Sequence, residues 1–296
     1  MKKGIVVDRE AKYIGVYLAE EDKVYTGIPR KKVLKKTKIC AGDYVFGEII
    51  DNESFAIEDI EERKNLLIRP KVANVDKVLV VQTFKLPPFD DFLLDNLLVV
   101  YDYLGVEPVI VFNKIDLLDD SEKEKLQEII NIYKDAGYEV YKISTKTEEG
   151  IEKLKNSLEG SIIIVAGPSG SGKSSLVSKL TGLNLETQEV SQKTKRGKHT
   201  TTRVTLYKIS QNTFIADTPG FSSVDALVFM DKKQVKDYFR EFLRYDCKFS
   251  NCTHTKEPDC GVKEAVKKGE ISCQRYKNYL KIIKEDLSLA EKICQN

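Results

Sequence analysis

Between residues 78 and 165, short apolar runs alternate with longer helix-forming stretches. Val78-Leu79-Val80-Val81, Pro108-Val109-Ile110-Val111-Phe112, Glu139–Ile143 and Ile162-Ile163-Ile164-Val165 read as strands. Unbroken apolar runs of this kind suit strands buried on both faces. Between them Asp90–Leu104, Ser121–Ala136 and Gly150–Leu158 read as helices, with Ser121 as the expected cap of the second and Glu124 three residues on. Such alternation predicts a mostly parallel sheet covered by helices.

The flanks have other patterns. Residues 1–65 read as a small β domain, with apolar runs at Gly4–Val7, Tyr13–Leu18 and Tyr44–Gly47 separated by Gly, Asp and charged turns. Arg30–Lys38 carries six basic residues and no acidic one, either as a solvated loop or as a contact for a phosphate backbone. From residue 231 the chain reads as helical and basic, interrupted by a cluster of Cys and His.

The strongest chemical signal follows the strand at 162–165. Gly167-Pro168-Ser169-Gly170-Ser171-Gly172-Lys173-Ser174 fits G-x-x-x-x-G-K-[ST] between a strand and a helix, the context the motif requires. Its glycines let backbone N–H groups turn inward around phosphate oxygens, and the helix N-terminus adds its positive end. Lys173 is expected to reach the β- and γ-phosphates, Ser174 to ligate Mg²⁺, and Ser175 to lie near the α-phosphate. Asn113-Lys114-Ile115-Asp116 follows a strand and fits N-K-x-D, in which a carboxylate accepts from guanine N1–H and the N2 amine; adenine lacks that donor pair. Ser144-Thr145-Lys146 fits the loop that backs the base. Asp217-Thr218-Pro219-Gly220, after Phe214-Ile215-Ala216, fits D-x-x-G, with Asp217 expected to orient Mg²⁺ and Gly220 to sense the γ-phosphate. Among Thr200, Thr201 and Thr202, Thr201 is the candidate second Mg²⁺ ligand.

In most GTPases the phosphate loop precedes N-K-x-D; here the order is reversed. The fold accommodates this because its usual ends lie near the surface and close together. The new break falls just after D-x-x-G, so the following residues are tied covalently to the element expected to move with nucleotide state. Phe221 stands where many GTPases carry a water-orienting Gln, so intrinsic hydrolysis is expected to be slow. His199, one of two histidines, is the candidate catalytic replacement, with a surface-loop histidine as the alternative.

Composition narrows the setting. Hydrophobic residues make up 41% and charged residues 32% of the 296-residue chain, and the net charge is only +2, so overall charge does not mark a nucleic-acid binder. No segment reaches the roughly 20 apolar residues of a membrane helix. Charges at Asp8, Arg9 and Glu10 exclude a signal peptide, and a cytoplasmic protein is expected. The six cysteines then read as thiols or metal ligands before disulfides. Cys247, Cys252, His254 and Cys260 form C-x4-C-x-H-x5-C, a closed tetrahedral set for one structural Zn²⁺. Cys40, Cys273 and Cys294 have no ligand spacing and read as buried or incidental.

Together these residues resemble the ribosome small-subunit-dependent GTPase A (RsgA) family. The likeness rests on the permuted order, Gly197-x-His199-Thr200-Thr201-Thr202, the Cys/His spacing, and Arg69-Pro70-x-x-Ala73-Asn74-Val75-Asp76. It implies a multidomain chain: an RNA-binding OB-fold β-barrel at 1–68, a circularly permuted α/β P-loop GTPase domain at 69–230, and a helical zinc-binding domain at 231–296. It also implies late maturation of the 30S subunit, contact with 16S rRNA and subunit-stimulated GTP hydrolysis to GDP, by a monomer with no membrane attachment. The rival reading is a regulatory GTP-dependent switch that recruits a protein partner without touching RNA.

Overall fold

The computed structural model describes residues 1–10, 13–68, 70–183, 204–217 and 225–294, and for Asp217 the backbone alone. Its first strands are β1 (Lys2–Arg9), β2 (Ile14–Leu18), β3 (Lys23–Pro29), β4 (Tyr44–Ile49) and β5 (Ser54–Ile60). β1 pairs antiparallel with β2 and β4, β2 with β3, and β4 with β5, while β3 and β5 run parallel. Every strand has two neighbours, so the sheet closes into an OB-like five-stranded barrel. Val6, Val16, Leu18, Val45, Phe55 and Ile57 fill it. The apolar-run reading missed β3 and β5, because β3 alternates buried and exposed positions and an inward Gly27 replaces a core side chain.

The basic run is not a loop. Lys31–Lys36 forms helix α1, whose Val33 enters the barrel core. Arg30 and Lys32 pair with Glu58, and Lys36 with Asp59, so acids from β5 offset a segment that has none of its own.

The stretch after the barrel is sewn to it by backbone and amide bonds. Ala73 N–H donates to Ala41 O and Asn74 Nδ2 to Gly42 O, each at 2.9 Å. Asn74 Oδ1 accepts from Lys64 N, and Asp76 Oδ2 from Ile162 N at 2.9 Å. Gly42 has φ +86°, and a Cβ there would stand 2.0 Å from Ala73 O. The Ala-Asn-Val-Asp stretch is thus a clasp between barrel and following sheet.

The chain continues as β6 (Lys77–Thr83), α2 (Asp91–Tyr103), β7 (Glu107–Asn113), α3 (Asp120–Asp135), β8 (Glu139–Lys142), α4 (Ile151–Ser157), β9 (Ile162–Ala166), α5 (Lys173–Thr181), β10 (Val204–Ser210) and β11 (Thr213–Asp217). The expected strands and helices are present, with one correction of register. The cap of α3 is Asp119, not Ser121, and Glu122 completes a reciprocal capping box. A carboxylate two residues earlier satisfies the free N–H groups and faces the positive end of the helix.

Two compact units result: Met1–Leu79 with Glu148–Val165 and Gly172–Gly220, and Val80–Thr147 with Ala166–Ser171 and Phe221–Asn296. In the first the strand order is β2-β3-β5-β4-β1-β10-β11-β9, with β9 and β11 parallel. In the second it is β6-β7-β8, with β7 and β8 parallel.

The second unit also holds α6 (Gly261–Lys267), α7 (Cys273–Ile282) and α8 (Ser288–Cys294). Phe239, Phe242, Tyr276 and Tyr279 pack there in a core shared with Val99 and Val100 of α2. Arg275, 2% exposed, is bound at Nε and Nη2 by Glu241 at 2.6 and 2.8 Å and at Nη1 by Asp95. Asn278 donates to the other oxygen of Asp95 at 2.7 Å.

Cys273 and Cys294 correct the expectation from spacing. They form a disulfide with Cα atoms 6.0 Å apart, joining the start of α7 to the end of α8. Helix packing brings them together across 21 residues, which sequence spacing cannot reveal. No described helix is long and apolar enough to cross a membrane.

Candidate nucleotide site and metal cluster

Asn113 ends β7 and ties three loops together. Its Oδ1 accepts from Lys114 N at 2.8 Å and Thr145 N at 3.1 Å, and its Nδ2 donates to Ser171 O at 3.0 Å. With both its oxygen and its nitrogen engaged, the buried amide is satisfied. Lys114, with φ +63°, donates from Nζ to Gly170 O at 2.7 Å and Leu86 O at 2.8 Å. Ile115 is buried and its N–H bonds Ile143 O, which fixes the turn that presents Asp116. Asp116 is exposed and accepts from Ser144 Oγ at 2.6 Å. Ser144 Oγ accepts in turn from Lys146 N and Thr147 N. The Asp116 carboxylate is therefore oriented from behind yet open to further N–H donors.

The Gly167–Ser171 half of the phosphate-loop motif lies in the same unit. Gly167 has φ +129°, and a Cβ there would stand 2.1 Å from Val81 O, so no side chain fits. Pro168 is half-buried, and Ser169 and Gly170 are exposed. Ser171 is fully buried, its Oγ without a hydrogen-bond partner. The motif continues into the first unit through Gly172 (φ +92°), which caps α5. Lys173 opens that helix, with Ser174 and Ser175 in its first turn. Burial holds the Lys173 ammonium below the ordinary lysine value. A glycine-permitted turn leading into a helix N-terminus suits an anion.

Asp217 closes β11, its backbone paired with Thr205 of β10. His199, Thr200, Thr201, Thr202, Gly220 and Phe221 lie outside the described residues.

The metal-ligand candidates converge in the second unit. The ligand atoms of Cys247, Cys252, His254 and Cys260 all lie within 4.8 Å of one another. His254 Nδ1 stands 3.5 Å from Cys247 Sγ and 3.4 Å from Cys260 Sγ, and the two sulfurs are 3.7 Å apart. Zn–S bonds of about 2.3 Å in a tetrahedron place sulfurs roughly 3.8 Å apart. Burial pushes the His254 imidazole down to about 4, which keeps it neutral, and pushes the Cys260 thiol up to about 12. Thiolates gathered there need a cation to stay ionised, so the donor set fits Zn²⁺. The surrounding backbone is pinned by Tyr276 Oη on His254 O at 2.7 Å, Tyr279 Oη on Thr253 O at 2.6 Å and Lys236 Nζ on Cys252 O at 2.8 Å.

Sequence reasoning missed the loop Phe84–Phe89, whose Leu86 carbonyl shares Lys114 with Gly170. No motif marks it, because the contact is made by backbone.

The model of the RsgA GTPase family matches residues 60–227. The chain is 41% identical over 293 residues to the small ribosomal subunit biogenesis GTPase RsgA of Thermotoga petrophila, covering 98% of this chain and 99% of that one. To the protein of the same name from Carboxydothermus hydrogenoformans it is 43% identical over 289 residues, covering 96% and 97%. The solved structure of YjeQ from Thermotoga maritima superposes with TM-score 0.83 at 38% identity, covering 96% and 97% of the two chains. That of YloQ, a circularly permuted GTPase, gives 0.82 at 27% identity, covering 99% and 96%. With the permuted motifs already in place, these likenesses make the chain a GTP hydrolase that belongs to the RsgA GTPase family.

Proposed function

We propose that the chain binds the small (30S) ribosomal subunit, acts late in its maturation, and hydrolyses GTP to GDP and phosphate under stimulation by the subunit. The observation that carries this reading is the Asn113 knot, which joins N-K-x-D, the Ser144–Lys146 loop and the phosphate loop despite their reversed order. Full-length likeness to small-subunit biogenesis GTPases supports the choice of partner. Asp116 would select guanine, Gly167–Ser175 would hold the phosphates, and Ser174, Thr201 and Asp217 would serve Mg²⁺, with Gly220 at the γ-phosphate. One Zn²⁺ would be held by Cys247, Cys252, His254 and Cys260. Residues 1–68, 69–230 and 231–296 would act as RNA-binding barrel, GTPase and zinc domain of a cytoplasmic monomer. Contact with 16S rRNA is supported by exposed basic residues on α1, such as Lys31 and Lys35.

Sedimentation of GTP-analogue-loaded protein with 30S subunits tests the partner. Co-migration lost on exchange to GDP is expected; failure to co-migrate sinks the reading. Asp116→Asn should shift preference from GTP to XTP in competition binding. His199→Ala should remove most of the subunit-stimulated increment in single-turnover hydrolysis while sparing GTP affinity. Equal stimulation of mutant and wild type would put the catalytic group elsewhere.

A further inference from the structure

We infer that the loop Phe84–Phe89 is an additional nucleotide-positioning element, acting through Lys114. The inference rests on the nucleotide-site reading above and adds to it a segment that no nucleotide motif contains.

A phosphate cradle must turn its N–H groups inward, so its carbonyls need hydrogen-bond donors on the outer face. Two are provided here. Asn113 Nδ2 takes Ser171 O, and Lys114 Nζ takes Gly170 O at 2.7 Å. An ammonium on a four-carbon stem is a flexible partner, and one bond does not fix it. Its second bond, 2.8 Å to Leu86 O, supplies the missing constraint. Lys114 Nζ thus bridges the phosphate loop and the 84–89 loop.

That loop is itself braced on three sides. Thr83, 1% exposed at the end of β6, donates from Oγ1 to Pro87 O at 2.6 Å. Phe89 N–H donates to Phe84 O at 3.2 Å, and the Phe89 ring packs 5.5 Å from Phe112, the residue before Asn113. Lys85 pairs with Glu122 of α3 at 2.8 Å. Pro87 also stands beside the phosphate loop, its Cδ 3.8 Å from where a Cβ on Gly170 would lie. Leu86 by contrast is 57% exposed, so its side chain is not what holds the loop. Its carbonyl is the working group, and the Thr83 hydroxyl holds the next carbonyl, Pro87 O, which fixes the turn that carries it.

The expected consequence is selective. Thr83→Val keeps the shape of the side chain and removes the hydroxyl donor. The Leu86 carbonyl then wanders, Lys114 loses one anchor, and Gly170 is held less firmly. A hydrogen bond of ordinary worth corresponds to about three- to tenfold in affinity. Reciprocity adds a second consequence: if order in the loop strengthens nucleotide binding, bound nucleotide must order the loop.

GDP affinity of wild type, Thr83→Val and Thr83→Ser, read with a fluorescent GDP analogue and by KM and kcat for GTP, tests the inference. Thr83→Val should weaken GDP and raise KM for GTP about three- to tenfold with kcat little changed. Thr83→Ser, which restores the hydroxyl, should recover wild-type values. Amide exchange across residues 84–89 in the wild type should slow when GDP binds, a readout independent of how well the valine variant folds. Wild-type affinity in Thr83→Val, or exchange of the loop unmoved by bound GDP, overturns the role of the loop. Wild-type protein that does not bind GDP overturns the nucleotide reading instead.

Discussion

The barrel at the N-terminus and the region after residue 225 are of similar size but are held together in different ways. The barrel closes its backbone hydrogen bonds on itself: each of its five strands has a partner on both sides. Its core is mostly aliphatic, with Tyr25 and Phe55 among the buried residues, and its buried Asp43 is held by the half-buried Arg63 at the barrel's end. The C-terminal region has helices of 7, 10 and 7 residues, which are marginal in isolation. Point cross-links do there what the continuous ladder does in the barrel: a Cys/His cluster, an arginine between two buried carboxylates, and a disulfide. A ladder spreads its load over many small terms, whereas point cross-links concentrate it.

Stripping the Zn²⁺ proposed for the Cys/His cluster, or Cys252→Ala, should produce the largest contrast. Structural Zn²⁺ is worth about 10–16 kcal/mol in small finger peptides, so its loss should unfold the segment around residues 245–260 and loosen α6 and α7. Amide exchange resolved by segment, together with metal analysis of the purified protein, checks this. Protection in the barrel should be unchanged. A fully protected C-terminal region in metal-free protein would erase the contrast.

Arg275→Met comes next. It leaves Asp95 and Glu241 buried without their cation, at a cost of about 3–5 kcal/mol. Urea melts followed by probes in each region should show the C-terminal transition moving to lower denaturant. If Asp95 and Glu241 are replaced together with Arg275 by apolar residues, much of the loss should return, because the penalty lies in the orphaned charges.

In the barrel, Ile57→Val should cost only about 0.5–1.5 kcal/mol, the ordinary value for one deleted methyl group. A larger loss would show that the barrel too depends on single points. The smallest effect is expected for Lys36→Ala. Its pair with Asp59 is exposed on both sides, so a thermal melt should barely move. The same change should weaken 30S binding and flatten its salt dependence if α1 faces the RNA phosphates.

Legibility followed the same division. Strands 78–81, 108–112 and 162–165 were readable because burial on both faces leaves an unbroken apolar run. β3 was not, because its positions alternate between buried and exposed and Gly27 breaks even that pattern. The nucleotide motifs and the Cys/His spacing were readable because their chemistry demands fixed residue types at short range. The Phe84–Phe89 loop was invisible because a main-chain carbonyl, Leu86 O, makes its contact with Lys114. The Asp95–Arg275–Glu241 cluster joins residues up to 180 apart in sequence, and nothing local marks such a set.

By itself, then, the sequence determined the order of the motifs, the candidate groups for phosphate, guanine and metal, and the alternation of strand and helix. Each of these is a local property, set by side-chain chemistry within a few positions. The tertiary structure alone decided which strands close the barrel, which acids offset the basic helix, and that Asp119 rather than Ser121 caps α3. It also decided that Cys273 meets Cys294. Those outcomes depend on which groups the folded backbone brings within a bond length, and burial makes a pairing matter where, as at Arg275, it removes the water that would otherwise satisfy it.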